Sequence, residues 1–247
     1  EQQFKKHLAG ILYEDITIQF GSDMAPSLYQ WIQQTINGQP AQMNGAILTT
    51  NAMNQIIDLK EFQNAFITEI AFPALDASSN APVLMGLKIQ PGQTVFQPGN
   101  GAQISFPPTQ QFKHWLASNF RLEIDGLEQA CGHVIRIDSL IWKQSINNQG
   151  AIGAFRSPQN PVGPSDAPNL VITLPQSQAE PFAQWFRDFV IQGQASDNEE
   201  RNGRLEYLGP DRQTPVLTVD FENVGIFRMS PIAQSNMNAI PLVKVEM

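Results

Sequence analysis

The sequence is poor in the residues on which most metal and redox sites depend. Its 247 residues include three histidines and one cysteine, and no H-E-x-x-H, C-x-x-C or EF-hand pattern occurs. The single cysteine, Cys131, excludes an internal disulfide framework, and we expect it to be a small buried hydrophobic residue. We therefore predict no metal site and no cofactor.

Arrangements typical of catalysis are also missing. No G-x-S-x-G elbow is present, and the glycine-containing stretch 92–101 lacks the G-K-[ST] that would make it a phosphate loop. The acidic clusters at 14–15 and 197–200 do not indicate a glycosidase pair. None of the histidines has a carboxylate or second histidine at ligand spacing; they are His7, His114 and His133. We predict that the chain is not an enzyme and has no catalytic residues.

Basic residues and long apolar runs are scarce as well. The chain has 15 Lys and Arg against 23 Asp and Glu, a net charge of −8, which argues against nucleic-acid-specific binding. No apolar run approaches the roughly 18 to 20 residues that span a bilayer, so we predict no membrane span. With 42% hydrophobic and only 15% charged residues, the chain is globular and its surface is largely neutral and polar. Such a surface suits packing against other proteins.

A strand followed by a tryptophan-bearing helix occurs twice. Residues 15–18 and 169–174 have strand patterns, and each is followed by apolar residues at i, i+3, i+4, i+7 and i+8, the stripe of an amphipathic helix. We expect Trp31 and Trp185 to be core residues rather than ligand platforms. The stripes consist of Leu28, Trp31, Ile32, Thr35 and Ile36, and of Phe182, Trp185, Phe186, Phe189 and Val190.

Proline and glycine mark the ends of both predicted helices. Pro26 and Pro181 suit a first helical turn, and Gly38 and Gly193 suit a left-handed cap. The strands behind the helices also match, 45–48 with 203–207 and 87–89 with 243–245. Further matched residues are Phe62, Ile67, Ile70 and Pro73 with Phe221, Ile226, Met229 and Pro231. This order predicts a duplication.

We predict a mainly β (α+β) fold of two tandem modules with one short helix each. Module 1 spans 1–98, a linker 99–119, and module 2 120–247. Residues 90–110 are rich in proline and glycine and are expected to lack regular structure, with Phe112, Trp115 and Leu116 forming helical turns after them. Strands 120–124 and 134–143 have no counterpart before Leu12. Module 1 therefore lacks its N-terminal hairpin, or that hairpin lies ahead of Glu1.

The order of elements in both modules has a family likeness. It comprises strand 120–124, a strand ending at Thr173-Leu174, the helix around Gln184-Trp185 and the strands from 205 to 245, and residues 13–18 with 28–31 repeat its strand-into-helix segment. This order resembles the tail tube protein family of contractile phage tails and related bacterial injection systems. The resemblance implies β-sandwich or barrel-like modules that join by their sheet edges into rings around a central channel.

The resemblance makes the chain a structural subunit of a phage-tail-like tube or baseplate hub. The tandem arrangement is more typical of hub or adaptor proteins, since three chains would supply a ring of six modules. Its expected partners are copies of itself and other tube, sheath or baseplate subunits, in a phage tail or phage-tail-like particle assembled in the bacterial cytoplasm. The alternative is a non-enzymatic carbohydrate- or protein-binding β-module that uses exposed aromatic residues, with Trp115 and Trp142 as candidates.

Overall fold

The computed structural model describes residues 13–21, 24–105, 115–146, 162–233 and 239–247. Strands make up 50% of the chain and helices 15%, so the fold is mainly β with several antiparallel sheets, as predicted. The predictions for His7, Phe112 and His114 lie outside the described residues.

The first half of the chain, described from residue 13 to residue 98, consists of strands around one helix. Its elements are β1 (Ile16–Phe20), α1 (Pro26–Ile36), β2 (Met43–Thr50), β3 (Ile56–Phe72), β4 (Leu75–Asp76), β5 (Pro82–Val83), β6 (Met85–Gln90) and β7 (Gln93–Pro98).

The remaining elements are β8, which lies before residue 120, and the elements of the second half, residues 120–247. They are β8 (Trp115–Leu116), β9 (Phe120–Ile124), α2 (Glu128–Cys131), β10 (Arg136–Ile137), β11 (Leu140–Ile146), β12 (Val162–Asp166), β13 (Val171–Pro175), α3 (Glu180–Phe186), β14 (Arg201–Leu208), β15 (Pro215–Val224), β16 (Arg228–Ile232) and β17 (Leu242–Glu246). A 3₁₀ turn at Gln176–Gln178 precedes α3, and a π-helical turn at Arg187–Ile191 follows it.

Strand β3 connects the sheets of the first half. Its 17 residues pair with β2 and β7 near the start of the strand and with β6 and β11 near its end. The largest sheet runs β1-β6-β3-β11-β12, with β2 and β7 attached to β3. The other sheets run β16-β17-β13-β10-β4, β15-β14-β9 and β5-β8.

The two halves are joined by strand pairing and by a shared core. Strand β11 adds to β3, with Leu140 opposite Phe72, and β10 adds to β4, with Ile137 opposite Leu75. Buried side chains from both halves, from Ile16 to Met247, belong to one contiguous hydrophobic cluster. The halves are therefore held together by a continuous apolar interior.

Three strand pairings recur in the same sequence order in both halves. Strands β1 and β6 pair as β13 and β17 do, β2 and β3 as β14 and β15 do, and β3 and β6 as β16 and β17 do. Thr17 lies opposite Lys88, and Thr173 lies opposite Lys244. Residues 87–89 and 243–245, which the sequence comparison matched, therefore have the same register against their partner strands.

Two of the predicted residue matches, Ile67 with Ile226 and Ile70 with Met229, are wrong. Ile67 lies opposite Ile89, and the residue in that position of the second half, opposite Val245, is Met229 rather than Ile226. The second half has three more residues here. Residues 225–227 divide its strand into β15 and β16, whereas β3 is continuous.

The two tryptophan helices form where they were predicted. Prolines occupy the first turn of α1 and of α3, and Gly38 and Gly193 both have φ of +71°. Trp31 and Trp185 are each 4% exposed, which confirms them as core residues. The last residue of each predicted stripe was wrongly included: Ile36, which ends α1, is 39% exposed, and Val190, in the π-helical turn after α3, is 43% exposed.

Several local predictions need correction. Part of 90–110 is the strand β7, stabilised by its pairing with β3 despite the flanking prolines. Trp115–Leu116 is a short strand paired with Pro82–Val83 and not a helical turn. The predicted strand 134–143 is divided into β10 and β11, and the proline-containing segment 162–166 forms the strand β12. Helix α2 was not predicted.

Candidate assembly surface

The tryptophan of each predicted helix donates a hydrogen bond to the backbone just before the next strand. The indole Nε1 of Trp31 donates to the carbonyl of Ala41 at 2.7 Å, and Nε1 of Trp185 donates to the carbonyl of Glu199 at 3.2 Å. Both acceptors lie four residues before a strand glycine, at positions 45 and 203. A buried indole N–H normally needs such a partner, so the same anchoring contact occurs in both halves.

The strand glycines lie opposite matching phenylalanines. Gly45 pairs with Phe62, and Gly203 pairs with Phe221. A Cβ at Gly45 would lie 2.3 Å from Cζ of Phe62, and one at Gly203 would lie 2.9 Å from the carbonyl oxygen of Glu123. A side chain fits at neither position, although the obstructing group differs between the halves.

An asparagine pair lies beside each strand glycine, where the strand pairing is irregular. The Asn44 side-chain oxygen accepts from the backbone N–H of Asn64 at 2.8 Å, and Asn202 accepts from Asn223 at 3.3 Å. Asn64 and Asn223 have φ of 51° and 56°, a left-handed conformation that asparagine tolerates better than most residues. The pairing register shifts beside Asn44 and beside Asn202, as in a β-bulge.

These asparagines were missed from the sequence although the signal was present. The dipeptide Asn-Gly occurs at 44–45 and 202–203, and Phe-x-Asn occurs at 62–64 and 221–223. The predicted matching of the two halves includes these glycines and phenylalanines but not the asparagines.

The halves differ in which sheet edge is covered. In the first half, β7 pairs with one edge of β3. The corresponding edge of β15 in the second half has no partner among the described strands. In the second half, β9 pairs with one edge of β14. The corresponding edge of β2 in the first half has no partner among the strands that the structure describes. Each half thus carries one open edge where the other half is covered.

The backbone of β2 offers hydrogen-bonding groups at its open edge. The Gln63 carbonyl accepts from the Gly92 N–H at 3.0 Å, so Gln63 faces the β7 side of β3. Because alternate residues face opposite edges, Lys60 faces β2, and its partner Ile47 faces back toward β3. Leu48 therefore directs its N–H and carbonyl to the open edge.

The same alternation describes β15. The Asn202 carbonyl accepts from the Asp125 N–H at 2.9 Å on the β9 side of β14. Leu205 consequently faces β15, and its partner Val219 faces β14 in return. Asp220 then presents its N–H and carbonyl to the open edge. Open edges of this kind are templates for pairing with another chain.

The sheet of β2, the start of β3 and β7 has exposed apolar side chains on both faces. Ile47 and Phe96 lie in one cross-strand row with Lys60, whose Nζ is 5.2 Å from the centre of the Phe96 ring. Leu48 and Ile57 lie on the opposite face, according to strand alternation. The exposed fractions are 41% for Ile47, 73% for Phe96, 44% for Leu48 and 47% for Ile57. Apolar exposure on both faces is typical of a surface that meets another protein.

The corresponding sheet of the second half is charged on its outer face. Arg204 Nε lies 2.6 Å from Asp220 Oδ1, and Arg121 pairs with the largely buried Glu206. One carboxylate oxygen of Glu206 has no aligned hydrogen bond among the described residues, so its contact with Arg121 is best described as a close ion pair. The sheet of the first half is thus the more apolar of the two.

The residues considered for chemistry do not converge. His133 is exposed, and Cys131 is 4% exposed, with burial raising the pKa of its thiol to about 12. Across the described ranges, no group of three or more His, Cys, Asp or Glu side chains is placed to hold a metal. Trp115 and Trp142 are 3% and 7% exposed, so neither offers an open ring face to a sugar.

No protein-family model matches the chain, and no curated protein sequence matches it. In the part of the chain that the structure describes, no helix is long and apolar enough to cross a bilayer.

Proposed function

We propose that the chain is a structural subunit of a phage-tail-like tube or baseplate hub, built from two copies of one tube-like module. Copies join through sheet edges into a ring with a central channel. The particle is a phage tail or a related bacterial injection device assembled in the bacterial cytoplasm. Other tube, sheath or baseplate subunits are its further partners.

The observation that carries this proposal is the detailed agreement between the halves. Strand pairing order, tryptophan anchor, glycine opposite phenylalanine, and asparagine pair all recur in the same sequence order. Independent stretches of β structure would have no reason to share all four. The agreement therefore supports duplication of one module, the arrangement that the tail tube resemblance implies.

The open edges support assembly. Among the described strands, β2 and β15 each have an edge without a strand partner, and exposed apolar residues surround the edge of β2. When one module is repeated with a fixed rotation, further copies added by head-to-tail contacts generate a ring or an open helix. Pairing then removes the edges that would otherwise invite aggregation.

Electron microscopy and mass photometry of the purified protein over a wide concentration range test the proposal. We expect rings or short tubes with a central channel, increasing with concentration. A protein that remains monomeric at every concentration would refute it. A Leu48→Pro variant is the matched probe, because proline removes an outward-facing N–H and leaves the bonds to β3 in place. It should stay folded by circular dichroism and assemble less well than the unaltered protein.

A further inference from the structure

A groove lies between the two halves, beside β15. It consists of two adjoining cavities of about 370 Å³ and 170 Å³. Both cavities are lined by Ile36 at the end of α1, Phe72 at the end of β3, and Val219 and Asp220 on β15. Because the cavities share these four residues, they form one continuous groove along residues 217–225, which we call the β15 groove.

The β15 groove runs along the open edge of the strand rather than against one of its faces. Every residue from 217 to 225 lines it, whereas a groove against one face would be lined by alternate residues. No residue of β14, which the structure describes throughout and which pairs with the other edge, lines the groove. The groove is therefore on the side to which Asp220 presents its N–H and carbonyl.

The remainder of the groove lining is largely apolar. Ile36 is 39% exposed, so the groove is open to solvent. Outside β15, none of the described lining residues has a charged side chain. The large apolar residues of this wall are Ile36, Phe72, Leu140 and Trp142. An unpaired strand edge beside an apolar wall is the arrangement that binds an extended segment as an added strand.

The first half shows how a strand occupies the corresponding edge. There β7 pairs antiparallel with β3, and Thr94 lies opposite Phe62. Phe62 and Phe221 are equivalent because each lies opposite a strand glycine. The equivalent strand in the β15 groove would therefore also be antiparallel and would lie opposite Phe221.

Strand β2 has the properties that this groove requires of an added strand. It spans Met43–Thr50 and contains neither a charged residue nor a proline. Its four consecutive residues 46–49 are exposed, so the strand is accessible on both faces as well as at its open edge. A strand inserted in a groove is covered on its faces, which suits the exposed Ile47 on one face and Leu48 on the other.

The outer edges of β7 and β9 are less suited to pairing. Asp58 faces β2, as Lys60 does, so the nitrogen of its partner Pro98 is on the outer side of β7, where proline offers no N–H. Strand β9 has the exposed charged residues Arg121 and Glu123. Proline and charged residues are the usual means by which proteins prevent edge pairing, and β2 has neither.

We propose that β2 of one copy of this chain inserts into the β15 groove of the next copy and extends its sheet in the antiparallel direction. Main-chain hydrogen bonds join the two open edges, and apolar side chains of β2 contact the apolar wall. This inference rests on the proposed function and identifies the two strands through which copies join. Because the two surfaces differ, the contact is head-to-tail and repeats as a ring or an open helix.

Cross-linking tests the proposal directly. Leu48→Cys combined with Glu222→Cys, at two exposed positions and treated with a short bismaleimide, should give covalent dimers and higher oligomers on denaturing gels. The single native cysteine is buried and should not react while the protein is folded. Leu48→Cys combined with Gln129→Cys, on an exposed position of α2, is the matched control and should remain monomeric on the gel.

Filling the groove tests the same contact without cross-linking. Ile36→Trp should raise the concentration at the midpoint of assembly by about tenfold or more, because the larger side chain occupies space that β2 needs. Val190→Trp is the matched control and should assemble like the unaltered protein. Val190 ends the apolar stripe of the other helix, is 43% exposed and does not line the groove. Both variants should remain folded by circular dichroism.

The outcomes separate this interface from the proposed function. If the unaltered protein assembles while the cysteine pair does not cross-link and Ile36→Trp has no effect, the pairing of β2 with β15 is wrong and the proposed function stands. If the unaltered protein never assembles, the proposed function fails and this interface fails with it.

Discussion

Replacing Trp31 with phenylalanine should destabilise the protein more than the same replacement at Trp115. The two side chains are 4% and 3% exposed, so each variant loses the same atoms from a similarly buried site. They differ in hydrogen bonding. Trp31 Nε1 donates to the carbonyl of Ala41 at 2.7 Å, whereas Trp115 Nε1 is buried without a partner in the described part of the chain.

The size of the difference follows from the cost of unpaired polar groups. Trp31→Phe removes a hydrogen bond and leaves the Ala41 carbonyl without its donor. Trp115→Phe removes an indole N–H that has no acceptor among the described residues. Leaving a buried group unsatisfied costs about 1–3 kcal/mol, so we expect the free energy of unfolding of Trp31→Phe to be lower than that of Trp115→Phe by about that amount. For a chain of this size the melting temperatures should then differ by about 2–12 °C.

Urea unfolding followed by far-ultraviolet circular dichroism is the appropriate assay, because the variants change tryptophan fluorescence. The slopes of the transitions must agree before the midpoints are compared. The free energy of unfolding of Trp185→Phe should be close to that of Trp31→Phe. The hydrogen bond from Trp185 to Glu199 is longer, at 3.2 Å. The Arg201 guanidinium, 5.0 Å from the indole ring centre, offsets this by a cation–π interaction. If Trp115→Phe is as destabilising as Trp31→Phe, the anchoring role of the indole N–H is wrong.

Three further predictions concern single sites. Burial raises the pKa of the Cys131 thiol to about 12, so the thiol should be inert to Ellman's reagent at pH 8 and react only after unfolding; rapid labelling of the folded protein would contradict this. Hydrogen bonds from Ser78 lower the pKa of Asp76 from 3.8 to about 2, so its stabilising contribution is present above about pH 4 and is lost as the pH falls toward 2. Ser78→Ala should raise that pKa in a carboxyl NMR titration, and an unchanged titration would exclude the proposed cause. Gly45→Ala places a methyl group 2.3 Å from Cζ of Phe62 and should cost about 1–3 kcal/mol; an unchanged urea midpoint would show that the ring moves aside freely.

The features predicted well from the sequence are those determined by neighbouring residues. The apolar spacing around Trp31 and Trp185 predicted the helices, and Gly38 and Gly193 predicted their ends, because periodicity and backbone conformation are local properties. Strand β7 was missed because Pro91, Gly92 and Pro98 look like linker residues when read alone. Only its pairing with β3 makes the segment a strand.

The candidate assembly surface was less accessible to prediction. Whether the edge of β2 or β15 is open depends on which distant strands add to the sheet, and the pairing of β11 with β3 has no local signal. The resemblance indicated that edges would be available without identifying them. The exposure of Ile36 and Val190, at the ends of the two apolar stripes, depends on which distant residues lie against the helix ends, and apolar periodicity does not predict this.

Strand β3 has a consequence for folding during synthesis. Its partner β11 is translated later, since Leu140 follows its partner Phe72 by 68 residues. At about 5–20 residues per second, the end of β3 waits roughly 3–14 seconds for this neighbour after leaving the ribosome. During that interval an apolar strand edge is available to any other nascent chain on the same messenger RNA. We therefore expect a trigger-factor-type chaperone to increase the soluble yield of the full chain.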